Sequence, residues 1–171
     1  MLKGIISRVN LSEVPAVASL IREVAPLAFE GLGTPEQMYR WLDQHAGESV
    51  ISARVTNPNC VVVAAKSDRG EIVGTAYLEL SADEASLSGY LGGLYCRVRD
   101  RGLGTAIIRV LVQLAGSLGV SVVSLSVAAK NTRMLHVARR LGFMETSRYV
   151  DKEFFPTDVF VVLAMKMPPA E

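Results

Sequence analysis

Residues 103–118 (LGTAIIRVLVQLAGSL) carry a single charge, Arg109. Their apolar spacing is helical, and a helix this apolar must be buried on most of its surface. Half of the 171 residues are hydrophobic, so the chain can supply a core large enough to cover it. The flanking segments read as strands. Before the helix come 60–66 (CVVVAAK), 71–80 (EIVGTAYLEL) and 87–98 (LSGYLGGLYCRV); after it come the β-branched run 120–128 and two final strands near 143–150 and 158–167. The turn at 67–70 (SDRG) makes the first two a hairpin, and the short link 81–85 makes the third antiparallel to its neighbour. The fold class is α/β, with a mixed, mostly antiparallel central sheet flanked by helices.

The N-terminal third is mostly helical. Residues 2–8 form a first strand, and Asn10 or Ser12 can cap a helix over roughly 12–25 that Pro26 ends. Thr34, Pro35 and Gln37 stand as N-cap, first position and third position of a capping box, which starts a helix over 35–46. A short helix near 48–55 follows, before TNPN at 56–59. Residues 131–141 form the last helix, stopped by Gly142. The chain has the length of one domain, 1–171, with a mostly helical part in 1–59 and most of the strands in 60–167.

Several function classes drop out on composition. Cys60 and Cys96 lie far apart, as do His45 and His136, so no metal site is expected and no disulfide is required. No run approaches the roughly 18 apolar residues of a membrane span, and the first ten residues lack a signal-peptide core. The expectation is a cytoplasmic protein without membrane contact. A net charge of +1 argues against general nucleic-acid binding. The charge is uneven, however. Residues 1–98 hold 8 Lys and Arg against 11 Asp and Glu, and residues 99–171 hold 10 against 6, which suits a polyanionic ligand on the second half.

Residues 99–105 (RDRGLGT) join the third of these strands to the apolar helix. No Lys follows Gly104, so a Walker loop fails. A dinucleotide fingerprint fails too, because Ile107 stands where its third glycine belongs and the next strand ends without an acid. The shared physical requirement remains. Gly102 and Gly104 leave room for an anion, the helix N-terminus offers unpaired N–H donors, and Arg99 and Arg101 add charge at the rim. A plain glycine turn entering a buried helix would have the same local sequence.

Arg99-x-x-Gly102-x-Gly104 resembles the signature of GNAT-type N-acyltransferases, and Asn131 with Leu141-Gly142-Phe143 resembles that superfamily's second pattern. The resemblance covers roughly residues 60–167 and implies that they are the CoA-binding core, with acceptor-side helices in 1–59. It implies acetyl-CoA as co-substrate, with the pyrophosphate on the backbone N–H groups of Asp100, Arg101, Gly102, Leu103, Gly104 and Thr105. The pantetheine arm would pair near Gly93, Leu94 and Cys96, where two strands splay, and Asn131 would bond the arm or position the loop. The implied reaction is acetyl transfer to a primary amine of a small molecule or protein, by direct attack in a ternary complex. A homodimer is an open expectation; the apolar strand 159–167 would serve it unless that strand is core.

The catalytic groups are less well marked. The Leu94 N–H is the expected oxyanion donor. Ala138 stands where the superfamily often has a Tyr acid, which leaves Tyr149, Tyr95, His136 or water. Glu79 is the nearest carboxylate to serve as base, on one strand face with Tyr77 and Thr75. Glu30 would attract a cationic acceptor, and Tyr39 and Trp41 would wall the site. Cys96 could carry an acyl group, although nothing near it in sequence lowers its pKa. A second expectation stays open beside the enzyme: an acyl-CoA-binding sensor or interaction module on the same fold.

Overall fold

A computed structural model of the chain describes residues 5–83, 86–97 and 102–168. The strands are β1 (Ile5–Arg8), β2 (Cys60–Lys66), β3 (Ile72–Ala82), β4 (Leu87–Cys96), β5 (Val122–Ala128), β6 (Met144–Asp151) and β7 (Phe155–Lys166). The helices are α1 (Val14–Ala28), α2 (Pro35–His45), α3 (Glu48–Thr56), α4 (Leu103–Ser117) and α5 (Thr132–Arg140). The seven strands form one sheet in the order β1-β2-β3-β4-β5-β7-β6. Neighbours are antiparallel throughout except β4 and β5, which run parallel. This is the mixed, mostly antiparallel sheet that the strand spacing predicts.

The helices cover the two faces separately. α4 and α5 pack on one face, where Ile107, Ile108 and Leu111 of α4 meet Val63, Leu78, Leu91, Val123 and Val161. Those three α4 side chains are fully buried, and only a stripe through Ala106, Arg109, Gln113 and Ser117 reaches solvent. α1 to α3 cover β2, β3 and the end of β4 on the other face, through Val17, Leu20, Ile21, Leu42 and Ile51 over Val62, Ala64 and Tyr95. A smaller cluster of Leu32, Ala128, Phe154, Phe155 and Phe160 lies under the chain between α1 and α2.

Local signals place most boundaries. Thr34 caps α2 with the expected reciprocal bonds: Gln37 N–H donates to Thr34 Oγ1 at 3.3 Å and Thr34 N–H to Gln37 Oε1 at 2.7 Å. Asn10 caps a short 3₁₀ turn, Leu11–Glu13, that leads into α1, again with a capping box. Glu13 also pairs with Lys66, which ties that turn to β2. Pro26 does not end α1, which runs on to Ala28. The proline falls in the last turn, where its missing N–H removes one bond and few residues follow to be disrupted. β7 starts at Phe155, earlier than expected, and is an interior strand. Its Val161 and Leu163 are fully buried, so they are core and not a dimer surface.

β6 is an edge strand, mostly exposed. Its pairing with β7 shifts register twice, between Glu145 and Ser147 and between Val150 and Asp151.

Candidate functional site

The single parallel pair in the sheet makes the site. β4 and β5 are joined only at Ser88–Val122, Gly89–Val123 and Tyr90–Ser124. Beyond that, β4 runs on to Cys96 and β5 to Ala128 without pairing, so the two strands part. A cleft of about 780 Å³ opens between their ends. It is lined by Leu94, Tyr95 and Cys96 on one side, by Ala128, Lys130 and Asn131 on the other, and by Val24, Leu27 and Ala28 of α1.

β4 is distorted where it borders the cleft. Tyr95 pairs with Thr75 and Gly92 with Tyr77, so Gly93 and Leu94 stand opposite Ala76 alone. This is a bulge, and Gly93 takes a φ of +61° in it. The Tyr77 ring lies across the bulge. A Cβ on Gly92 would come 2.4 Å from Tyr77 Oη, and one on Gly93 would come 2.9 Å from the ring. Glycine is needed here for the ring to lie on the backbone.

Two helix N-termini point at the cleft. Gly102–Thr105 in the first turn of α4 line it, as do Asn131–Met134 in the first turn of α5. Gly102 is the N-cap of α4, with φ +75° and no side-chain cap, so the first N–H groups of that helix keep their donors. A Cβ on Gly102 would meet nothing within 4 Å, and one on Gly104 would only touch Leu94 and Cys96. Asn131 Oδ1 accepts the Met134 N–H at 3.0 Å, capping α5 beside the cleft. Together the two N-termini concentrate partial positive charge, with Lys130 and Arg133 also on the wall. Arg99, Asp100 and Arg101 lie outside the described residues.

The candidate catalytic groups are spread more widely. Leu94 and Cys96 line the cleft directly. Burial pushes the Cys96 thiol up to about 11, so it is a poor nucleophile at neutral pH. Glu79 is exposed on β3, cross-strand from Tyr90 and away from the cleft wall. Tyr149 stands on β6, stacked on Phe160 at 5.4 Å, with its hydroxyl 3.0 Å from Ser126 Oγ. Tyr95 is buried, and burial raises its phenol well above the ordinary range. His136 is exposed at the cleft's edge, whereas Ala138 is fully buried in the core. Glu30 lines the cleft; Tyr39 is largely exposed and does not.

A second, smaller cavity of about 50 Å³ lies beside the bulge on the α1–α3 face. Trp41, His45, Arg54, Thr75, Tyr77 and Gly93 line it, and it shares Tyr95 with the cleft. Arg54 and His45 did not stand out in the sequence, because they come from separate helices and meet Tyr77 only in the fold. Asp158 was missed too, although a lone carboxylate within the apolar run 159–165 and Phe154-Phe155 is a legible oddity. It is 1% exposed and holds Lys130 at the cleft wall.

The same architecture occurs in solved acetyltransferases. The PaiA N-acetyltransferase from Thermoplasma acidophilum, solved in complex with coenzyme A, superposes with a TM-score of 0.82 at 15% identity, over 96% of this chain and 99% of that one. The ribosomal-protein-S18-alanine N-acetyltransferase from Escherichia coli gives 0.70 at 15% identity, over 98% and 96%. Arabidopsis thaliana NAA60, solved with a bisubstrate analogue, gives 0.69 at 16% identity, over 98% and 99%. Comparison with curated protein sequences finds no match. At these identities the superpositions speak for the fold. The sequence itself matches the family model described as "Acetyltransferase (GNAT) family" over residues 20–143, which takes in the second half of α1, the bulged β4, the glycine turn and the Leu-Gly-Phe that follows α5. The chain belongs to the GNAT acetyltransferase family, and its chemistry is acyl transfer.

Proposed function

We propose that the protein transfers the acetyl group of acetyl-CoA to a primary amine of a small molecule or protein, by direct attack in a ternary complex. The observation that carries this reading is the cleft where β4 and β5 part, with the N-termini of α4 and α5 on its wall. The residues present fit such a co-substrate. The open space over Gly102 and the free N–H groups of α4 suit a pyrophosphate, with Leu103, Gly104 and Thr105 completing the cradle. The unpaired edge of β4 at Gly93, Leu94 and Cys96 suits an amide-bearing arm, and Asn131 faces it across the cleft.

The chain's own groups then have three tasks. The Leu94 N–H, at the bulge, donates to the oxygen that gains charge when the amine nitrogen bonds to the thioester carbon. Glu79 takes the proton that the attacking ammonium must lose, and Tyr149 supplies one to the departing thiolate; both act through water, since neither lines the cleft. A thiolate of ordinary pKa near 8.5 leaves without much help, so the buried Ala138 in place of a Tyr does not stop turnover. Among the described residues no helix is long and apolar enough to cross a membrane; the cytoplasmic location remains part of this proposal.

The test is thiol release from saturating acetyl-CoA across a panel of amines, with mass detection of the N-acetyl product. Amine-dependent release supports the proposal. Tight CoA binding with no release from any amine would leave a CoA-binding module instead.

A further inference from the structure

The second cavity beside the bulge bears on which amine is acetylated, an inference that rests on the acetyl-transfer reading of the cleft. Its walls are mostly apolar, from Val17, Ile21, Ile51 and Val62, yet it contains a guanidinium. Arg54 Cζ lies 4.3 Å from the centre of the Tyr77 ring, and Nη1 donates to the His45 carbonyl at 3.1 Å. A guanidinium has five N–H donors, so most are left over. Among the described residues Arg54 takes part in no ion pair. Glu79 lies on the same strand face as Tyr77 but not within ion-pair distance, so this half-buried cation on an aromatic face keeps donors for a closer anion.

His45 supplies the opposite character. Its Nδ1 lies 2.9 Å from the Trp41 carbonyl, which can only accept, so in the neutral ring Nδ1 carries the proton and Nε2 the lone pair. The ring is stacked on Trp41 at 4.8 Å and edge-on to Phe154 at 5.1 Å, which fixes its plane. The cavity therefore offers one cation and one lone pair, beside the bulge on which the thioester would lie. Its volume of about 50 Å³ suits a carboxylate and the carbon that bears it, with the rest of the acceptor outside.

We infer that the acceptor is an amino carboxylate, an amine that also bears a carboxylate, with that carboxylate paired to Arg54 and the amine presented to the bulge at Gly93 and Leu94. A polyamine would bring like charge towards Arg54. A protein N-terminus would bring an uncharged peptide carbonyl where the pocket provides for an anion. Arg54 is thus a specificity-determining residue, bidentate pairing with carboxylate being the geometry that arginine favours.

The experiment compares each common L-amino acid with its own carboxamide, alongside spermidine and a tripeptide, by kcat/KM in wild type, Arg54→Gln and Arg54→Lys. Thermal melts check that the variants fold. The carboxamide has the less basic amine, so amine reactivity alone favours it; a preference for the acid must come from the pocket. The best amino acid is expected to exceed its amide by at least roughly tenfold, which corresponds to about 1.4 kcal/mol. Arg54→Gln should erase that difference through the KM of the acid, leaving the KM of the amide and of acetyl-CoA in place. Arg54→Lys should keep part of it. Equal or better use of the amides, of spermidine or of the tripeptide overturns the inference, as does an equal loss on acid and amide in Arg54→Gln. If no amine releases thiol, calorimetry of the same ligands on CoA-saturated protein decides. Binding of an amino acid that Arg54→Gln abolishes upholds the pocket while the acyl-transfer reading falls; no such binding overturns the pocket.

Discussion

The buried carboxylate of Asp158 accepts from Lys130 Nζ at 2.6 Å through one oxygen, and its other oxygen accepts the Gly33 N–H at 2.9 Å. Lys130 also donates to the Gly31 carbonyl at 2.8 Å. One acid on β7 thereby pins the chain between α1 and α2 to the wall of the cleft. Burial alone would raise the Asp158 pKa, but the bonds from Lys130 and Gly33 outweigh it and hold the carboxyl below its ordinary value. A lowered folded pKa means that the stabilisation is present above the unfolded value near ~3.9 and is lost as pH falls through the folded one. Asp158→Asn should cost about 1.5–3 kcal/mol at neutral pH, the range for a charged hydrogen bond. Melting curves at pH 7 and through the acid range should show the wild type converging on the variant as the acid protonates.

Gly102 faces open space and Gly104 makes only ordinary contacts, so side chains there project into the cleft without disturbing the core, with some local backbone strain at Gly102, whose φ is +75°. Gly102→Asp and Gly104→Glu should each weaken CoA binding by roughly tenfold or more, about 1.4 kcal/mol, through lost room and like charge. Calorimetry with CoA measures this, and circular dichroism should show an unchanged fold. Parent-like binding in either variant would mean that the phosphates lie elsewhere.

The bulge should be intolerant of a methyl group. Gly92→Ala places a Cβ on the Tyr77 hydroxyl, and Gly93→Ala adds strain at positive φ. Tyr77 must swing away in either case, taking its ring from under Arg54. The expected outcome is a fall in kcat/KM larger than the loss of CoA affinity, since the bulge meets only the thioester end of the arm while the cleft wall at α4 and α5 is untouched. Steady-state kinetics beside CoA titration reads the split.

Ala138→Tyr is the change that the family pattern invites, and it should fail to improve turnover. The site is fully buried among α5, α4 and the sheet, so a phenol has no room. Overpacking of this kind costs about 1–3 kcal/mol, which for a chain of this size lowers the melting temperature by several degrees. A variant that melts like the parent and turns over faster would show that an acid was wanting there.

Cys96 should be slow to alkylate. With its thiol pushed up to about 11 by burial, its thiolate fraction at pH 8 is on the order of a hundredfold below that of free cysteine, so it should react more slowly. Iodoacetamide labelling followed by mass spectrometry checks the rate, and CoA should slow it further, because Cys96 lines the cleft.

What the sequence disclosed was whatever depends on near neighbours. The Thr34–Gln37 box, the apolar stripe of α4 and the hairpin of β2 and β3 each follow from residues a few positions apart. Pro26 misled because its effect depends on how much helix follows it, which local pattern does not state. The cleft was reached through Gly102, Gly104 and Asn131, whose spacing matches a family pattern; composition alone leaves the same glycines as a turn. The smaller cavity stayed hidden because α2, α3, β3 and β4 contribute one or two residues each. Asp158 and Gly33 are 125 positions apart, and only the closed sheet brings them together.

One of the two edge strands of the sheet also bears on how the molecule meets other chains. β6 offers its backbone to solvent along Met144–Asp151, the kind of border on which a foreign strand can grow. The two register shifts against β7 break that border into short pieces. Glu145, gripped by Arg148 at 2.6 Å and Arg139 at 3.4 Å, sets charge along the same stretch. An incoming strand would find few consecutive partners and would have to displace an ion-pair network to reach them. The irregularity of β6 therefore works against strand addition at that border.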